Sequence, residues 1–298
     1  MEYQGQPPII GWGGTGQKTG VVPKIKRLVD MINNIKNIHQ TELDLLVWRY
    51  LTFPKFISLV TYGALWFAKL NILQDQFEGT LPIATETQMR QYNKQSKKVF
   101  NTPEYHQQID NWPKDIVSSG RELTVVNCWF LGENESRDMW TGYIGSNEGV
   151  AICSSIRRLQ NSVYAYPEFS LIGRVQYVDF DKHVMSMYEA HQAHEIALLK
   201  QKGKGFEVEH EIRIVSMSIK TPWCVNMQGS HLTKEQYTGK NMNNFENKGI
   251  YICVDLSSLI QLVVLAPGAL DWFELLVKRV LKLFKFECPV IRSKFKDF

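Results

Sequence analysis

Residues 205–215 read Gly-Phe-Glu-Val-Glu-His-Glu-Ile-Arg-Ile-Val and alternate charged with mostly apolar positions. This is the period of two that predicts a β-strand. Such a strand places Glu207, Glu209, Glu211 and Arg213 on one face, and Phe206, Val208, His210, Ile212 and Ile214 on the other. The charged face is costly to bury, because adjacent carboxylates repel unless a cation compensates. The same strand character recurs at 44–50, 64–68, 124–130, 149–153, 174–178 and 249–254. Helical spacing appears at 24–39, at 52–63 with Phe56, Leu59 and Val60 inward, and at Met139, Trp140 and Tyr143. Residues 85–99 and 104–119 predict polar, peripheral helices, and 182–202 a further helix.

The chain ends in a β-α-β pattern: strand 260–266, a helix from 271 to about 284, and strand 288–293. The expected core face of that helix is Trp272, Leu275, Leu276, Val280 and Leu283, with Lys278, Lys282 and Lys285 outward. Taken together the elements predict an α+β fold: a mixed, mainly antiparallel sheet with flanking helices. Residues 1–40 read as a Gly/Pro-rich arm followed by a docking helix, and 41–298 as a single domain.

Composition narrows the function classes. The chain has 298 residues, 44% hydrophobic and 12% aromatic, enough for a sizeable core. Its 34 basic and 30 acidic residues give a net charge of +4, so no broad electrostatic case exists for a nucleic-acid or membrane surface. Five widely spaced cysteines without a C-x-x-C pair argue against a disulfide framework or structural zinc site. With no apolar run long enough to span a bilayer, this predicts a cytoplasmic protein with no membrane partner.

Several local features invite a site. Residues 11–19, Gly-Trp-Gly-Gly-Thr-Gly-Gln-Lys-Thr, approach a phosphate-binding loop, but Gln17 separates Gly16 from Lys18 and a flexible arm is the better reading. His191 and His194 share a helical face beside Glu195, yet no third ligand has recognisable spacing, so helix surface is the default and no metal ligand is assigned. Asp75 and Glu78 lie in a turn after an aromatic strand, where acidic groups can face a cleft.

An ordered set of motifs carries a family resemblance: Trp48-Arg-Tyr50, Leu65-Trp-Phe67, Asp75-Gln-Phe-Glu-Gly79, Met139-Trp-x-x-Tyr143 with Gly149-Val-Ala-Ile152, Glu209-x-Glu-x-Arg213, Val264-x-x-Pro267 with Trp272, and Val290-x-x-Ser293. From about residue 45 onward the chain resembles the bacterial domain-of-unknown-function family two-nine-seven-one. It departs from that pattern at Leu73-Gln74 and Gln76 in the turn and at Phe206, where the family often has Trp. The family name supplies no activity; its bacterial or phage setting implies a role in conflict or defence.

The layout also resembles that of ADP-ribosyltransferases, with an early basic strand, an aromatic strand and a late E-x-E strand. That resemblance implies NAD as co-substrate. Arg49 would hold phosphate or ribose, Tyr50 or Trp66 would stack on nicotinamide, and Glu209 or Glu211 would be catalytic, because cleavage at the nicotinamide riboside develops positive charge that a carboxylate stabilises. Trp140 and Tyr143 are expected to line the same pocket as Asp75, Glu78 and Arg213. The acceptor would be a protein, a nucleic acid or a small nucleotide. Two other readings stand beside it: a metal-dependent nuclease or phosphohydrolase, in which Asp75, Glu78, Glu209 and Glu211 hold Mg²⁺, and a non-enzymatic binding or regulatory module, in which the carboxylates and Arg213 form a structural ion-pair network.

Overall fold

The computed structural model describes residues 35–163, 170–217 and 248–298. In chain order the first strands and helices are β1 (Ile35–Lys36), β2 (Leu46–Thr52), α1 (Phe53–Tyr62), β3 (Ala64–Lys69), α2 (Ile83–Val99), α3 (Pro103–Leu123), β4 (Thr124–Leu131), α4 (Arg137–Tyr143) and β5 (Gly149–Ser155). There follow α5 (Ile156–Ser162), β6 (Ser170–Arg174), β7 (Gln176–Val178), α6 (Met187–Ala190), α7 (Ala193–Ile196), β8 (Leu199–Gln201) and β9 (Glu211–Met217). The chain closes with β10 (Gly249–Cys253), α8 (Leu256–Leu259), β11 (Leu262–Leu265), α9 (Asp271–Leu283) and β12 (Val290–Arg292).

The fold is α+β, as the patterning predicts. Ten strands form one sheet, in which β1, β6, β9 and β4 lie side by side and the sheet then forks. The end of β4 pairs with β2 through Val47 opposite Leu131 and Trp48 opposite Phe130, and that branch continues through β5 and β11 to β12. The beginning of β4 pairs instead with β3, at Ala68 opposite Val126 and Lys69 opposite Val125, and that branch ends at β10. Among the described residues, only the β1–β6 and β11–β12 pairs of this sheet are parallel.

Alternation along the strands divides the core. Val47, Leu51, Leu65, Trp129, Ile152, Ile212 and Val263 meet Phe56, Leu159 and Phe273 of the helices on one face. Burying such side chains contributes roughly 1.5–3 kcal/mol each before entropy is counted. On the other face Trp48, Tyr50 and Phe130 pack against Met139 and Trp140 of α4, while Leu81, Met89 and Phe180 form a separate cluster with α2 and α3. Helix α1 ends where Gly63 adopts φ 57°, the left-handed cap that a side chain would strain, and its amide donates to the Leu59 carbonyl.

Several expectations are overturned. The helix expected over 24–39 is not continued in its described part, where Ile35 and Lys36 pair as a strand with β6; the rest of that helix and the glycine-rich residues 11–19 lie outside the described residues. Residues 182–202 form two four-residue helices and strand β8, so His191 and His194 do not share a helix. Residues 174–178 divide between β6 and β7. Helix α9 is rotated from its expected setting: Phe273, Val277 and Leu281 are buried, whereas Trp272, Leu275, Leu276 and Leu283 are exposed. A helix with apolar side chains on two faces satisfies the core with either one, and here Phe273 is the side chain taken into the core, edge to face with Phe53 at 5.2 Å. Cys253 is disulfide-bonded, and Cys128, Cys153 and Cys288 are free.

Candidate active site at the fork of the sheet

The motif that predicts one charged strand folds as two elements. Gly205 (φ 82°) and His210 (φ 38°) both take left-handed conformations and bracket a 3-10 turn, Phe206–Glu209. Strand β9 starts only at Glu211. Glu211 and Arg213 do share a face, as predicted, but Glu207 and Glu209 belong to the turn. Glu207 Oε1 ties that turn to the preceding loop by accepting from the Gly203 amide at 2.6 Å. Val208, expected inward, is exposed.

Arg213 is the centre of a buried ionic cluster. Its Nε and Nη2 donate to Glu211 at 2.9 and 3.1 Å, Nη1 and Nη2 donate to Glu78 at 2.7 Å each, and Nη1 reaches the Ala197 carbonyl at 2.6 Å. These contacts engage all three guanidinium nitrogens, with bidentate pairing to each carboxylate. Lys200 of β8 completes the cluster, its Nζ lying 2.6 Å from Glu209, 3.1 Å from Glu211 and 3.6 Å from Glu78, and 4.5 Å from the centre of the Phe206 ring. Arg213 is 1% exposed and Glu211 5%.

The electrostatics follow from this packing. Burial would raise the Glu211 carboxyl, but the charges of Arg213 and Lys200 overcome it and hold the group at about 2. Burial likewise opposes the charge on Lys200, and the carboxylates of Glu211 and Glu209 reverse that, raising its pKa above the ordinary value. Tyr177, whose hydroxyl accepts from the Glu211 amide at 3.2 Å, is pushed up to about 12 chiefly by burial.

Arg49 stands at the fork and lines a cavity. Its Nη1 donates to the Cys128 carbonyl at 2.6 Å, within the part of β4 that lies between its β2 and β3 pairings. On the other branch Asn127 Nδ2 donates to the Trp66 carbonyl at 2.8 Å while its Oδ1 accepts from Trp129 Nε1 at 2.6 Å. Between the branches, under α1, is a cavity of about 330 Å³ lined by Arg49, Lys55, Ser58, Leu65, Trp66 and Tyr251 among others. Trp66 and Tyr251 meet edge to face with centroids 4.9 Å apart, and Ser58 Oγ lies 2.8 Å from the Tyr251 hydroxyl. Burial lowers the Arg49 pKa, and the Glu211 carboxylate acts on it in the opposite direction.

The expected site residues therefore separate. Arg49 and Trp66 line the cavity, and Glu78, Glu209, Glu211 and Arg213 meet in the cluster. Tyr143 does not line the cavity; its hydroxyl donates to Glu209 Oε1 at 3.3 Å, at the edge of the cluster. Tyr50 points to the opposite face from Arg49: its hydroxyl accepts from the Ser136 amide at 2.7 Å and its ring packs on Trp140 at 4.9 Å. Trp140 is buried with its Nε1 on Glu135 at 2.8 Å, so both aromatics hold α4 rather than line the cavity. Asp75 Oδ1 accepts from the Phe77 amide and stabilises its own turn.

The carboxylates do not fit the Mg²⁺ alternative, since the ammonium of Lys200 already lies among Glu78, Glu209 and Glu211. No group of three His, Cys, Asp or Glu side chains among the described residues is disposed to hold a metal. Sequence reasoning did not reach Lys200, Lys55 or Tyr251. Lys200 lies in a stretch read as helix surface, and nothing in its local pattern distinguishes it from an ordinary exposed lysine.

No protein-family model and no curated protein matches the chain. Among solved structures, Thermus sp. 2.9 DarT in complex with NAD+ is similar at 10% identity over 86% of this chain and 98% of that one, with a TM-score of 0.35. The same protein in complex with carba-NAD+ gives 10% identity over 84% and 96%, with a TM-score of 0.33. Likeness at this level carries no argument about this chain. No helix among the described residues is long and apolar enough to cross a membrane.

Proposed function

We propose that the chain binds NAD at the fork of the sheet and transfers its ADP-ribose to an acceptor. The observation that carries this reading is the position of Arg49, which lines the cavity while its Nη1 donates to the Cys128 carbonyl at the fork. A dinucleotide needs a flat apolar surface for its ring and cations for its phosphates. Trp66 and Tyr251 supply the first, and Arg49 and Lys55 the second. The cavity is of the size expected for the nicotinamide riboside half, at the lower end of the roughly 300–1,000 Å³ typical of ligand sites.

In the reaction the bond from ribose C1′ to nicotinamide breaks, nicotinamide leaves with the electron pair, and an acceptor nucleophile attacks C1′ and loses its proton. Glu209 is the less engaged of the two late glutamates, and on that ground it is assigned to stabilise the positive charge at C1′. Both Glu211 oxygens are held by Arg213, and one of them also by Lys200. Glu209 has one oxygen on Lys200, the other only 3.3 Å from the Tyr143 hydroxyl, and a side chain 19% exposed. Glu211 is then a positioning residue that fixes Lys200. In the setting the family resemblance implies, such an enzyme would be an effector of bacterial or phage conflict.

The saturated pairing of Glu78, Arg213 and Glu211 favours one second reading, a module that binds the nucleotide without turning it over. Calorimetric titration of the chain with NAD+, combined with chromatographic detection of free nicotinamide, separates the two. Binding with nicotinamide release supports transfer or hydrolysis, binding alone supports the module, and no heat at millimolar NAD+ rejects both.

A further inference from the structure

Helix α9 leaves a second apolar stripe uncovered. Trp272, Leu275, Leu276, Arg279 and Leu283 follow the spacing of one helix face. Trp272 is 50% exposed, Leu275 68% and Leu283 74%, while Phe273, Val277 and Leu281 fill the core from the other side. Six of the twenty large apolar side chains exposed among the described residues lie between 270 and 284, so exposure is concentrated on this helix rather than scattered. A concentration of that kind marks a surface that another body covers.

The charges beside the stripe decide which body fits. Asp271 and Glu274 stand in the first turn, whereas Lys278, Arg279, Lys282 and Lys285 lie beyond the middle of the helix. Asp271, Lys278 and Lys282, at intervals of seven and four, run along one flank. Glu274 neutralises Lys278 within the helix at 2.6 Å. Lys282 has no ion pair among the described residues, and Asp271, though bonded to Arg292, keeps a side chain 91% exposed. These two are about 16 Å apart along the axis and cannot meet within one chain. A uniformly basic rim would suit an anionic membrane or an acidic protein. Acid at one end and base at the other suit the same helix turned end for end.

We infer that α9 is a dimer interface, across which a second copy of this chain lays its own α9 antiparallel about a two-fold axis beside Leu276. Such an axis brings like flank to like flank and sets residues about equally far before and after Leu276 against each other. The two Leu276 side chains meet on the axis, Trp272 of each copy lies under the Arg279 guanidinium of the other, and Asp271 faces Lys282 at both ends. Leu283 covers Leu270, which is 53% exposed at the start of the helix. A contact built on 13 helical residues is small, so the dimer is weak and reversible. The interface is separate from the proposed NAD site, none of whose lining residues lies on this helix.

The test is sedimentation equilibrium of the full chain from micromolar to near-millimolar concentration. The weight-average mass rises from that of one chain toward that of two. Leu276→Asp, at a partly exposed position on the axis, stays a single chain throughout, and a melting curve confirms that it is folded. Trp272→Ala weakens the dimer by at least about tenfold. Asp271→Lys and Lys282→Asp each weaken it several-fold, and the two together restore it, because the pair is rebuilt between copies with its signs exchanged. The inference is overturned if the chain stays single at every concentration, if Leu276→Asp associates as the wild type does, or if the combined charge exchange restores nothing. A single chain that instead sediments with anionic phospholipid vesicles, and loses this with Trp272→Ala, assigns the stripe to a membrane and likewise overturns it.

Discussion

Arg49 donates to the carbonyl of Cys128 across the gap in which β4 changes partners from β3 to β2. The bond satisfies a strand carbonyl at the fork and places a guanidinium on the wall of the cavity. Replacing Arg49 by Ala removes both functions. The expected outcome is loss of NAD binding by at least about tenfold, with destabilisation on the order of 1–3 kcal/mol from the unpaired carbonyl. Arg49→Lys keeps the charge and recovers only part of the affinity, because an ammonium lacks the planar fork of donors. Calorimetry and urea denaturation on the two variants check this.

Glu209→Gln should lower nicotinamide release by at least about a hundredfold, the lower end for loss of an essential carboxylate. Its stability should change little, since the side chain is partly exposed and its partner Lys200 keeps Glu211. Retained turnover in this variant would remove Glu209 from the proposed chemistry.

Arg213→Met leaves Glu78 and Glu211 buried without their principal cation. Breaking one side of such a network costs about 3–5 kcal/mol, read as a shift of the denaturation midpoint. Adding Glu78→Gln and Glu211→Gln to the same chain restores part of that loss, because the uncompensated charges are then gone.

Acid should weaken the fold over a defined window. Glu211 titrates at about 2 in the folded chain against an ordinary value of 4.5. The folded state therefore binds fewer protons, and the stabilisation is complete above about pH 4.5 and disappears as pH falls toward 2. Its size is on the order of 3 kcal/mol. Denaturation curves collected across this window show the loss in the wild type and a smaller slope in Glu211→Gln.

Gly249 faces Ala68 in the β10–β3 ladder, and a Cβ there would stand 2.2 Å from the Phe67 carbonyl oxygen and 2.6 Å from the Trp66 ring. Gly249→Ala should displace the Trp66 ring at the cavity wall. A change in NAD affinity with the ionic cluster intact would confirm that the glycine shapes the site, and an unaltered affinity would show that β10 yields instead.

Much of the architecture was legible in the chain. Period-two alternation located β2, β3, β4, β5 and β10, and helical spacing placed Phe56, Leu59 and Val60 on the buried face of α1. Such patterns are local and reflect which face meets a core. The same logic misassigned α9, because its sequence offers two apolar faces, and extended β9 through Glu209, because alternation continues across His210 although its backbone does not. Arg49, Trp66, Glu78, Glu209, Glu211 and Arg213 were recognisable by residue type and motif order, and the folded chain divides them between the cavity, with Arg49 and Trp66, and the ionic cluster, with the other four.

By itself the sequence determined the α+β class, the strand-forming segments, and the charge pattern that makes Glu211 and Arg213 share a face. The tertiary structure alone decided that β4 forks between two partners, that Lys200 enters the carboxylate cluster, and that Tyr50 and Trp140 turn away from Arg49. The physical reason is that hydrophobic periodicity specifies a residue's face within its own element, whereas a salt bridge or a cavity depends on how separate elements are packed. Arg213 and Glu78 are 135 residues apart in the chain, and no local pattern encodes their 2.7 Å contact.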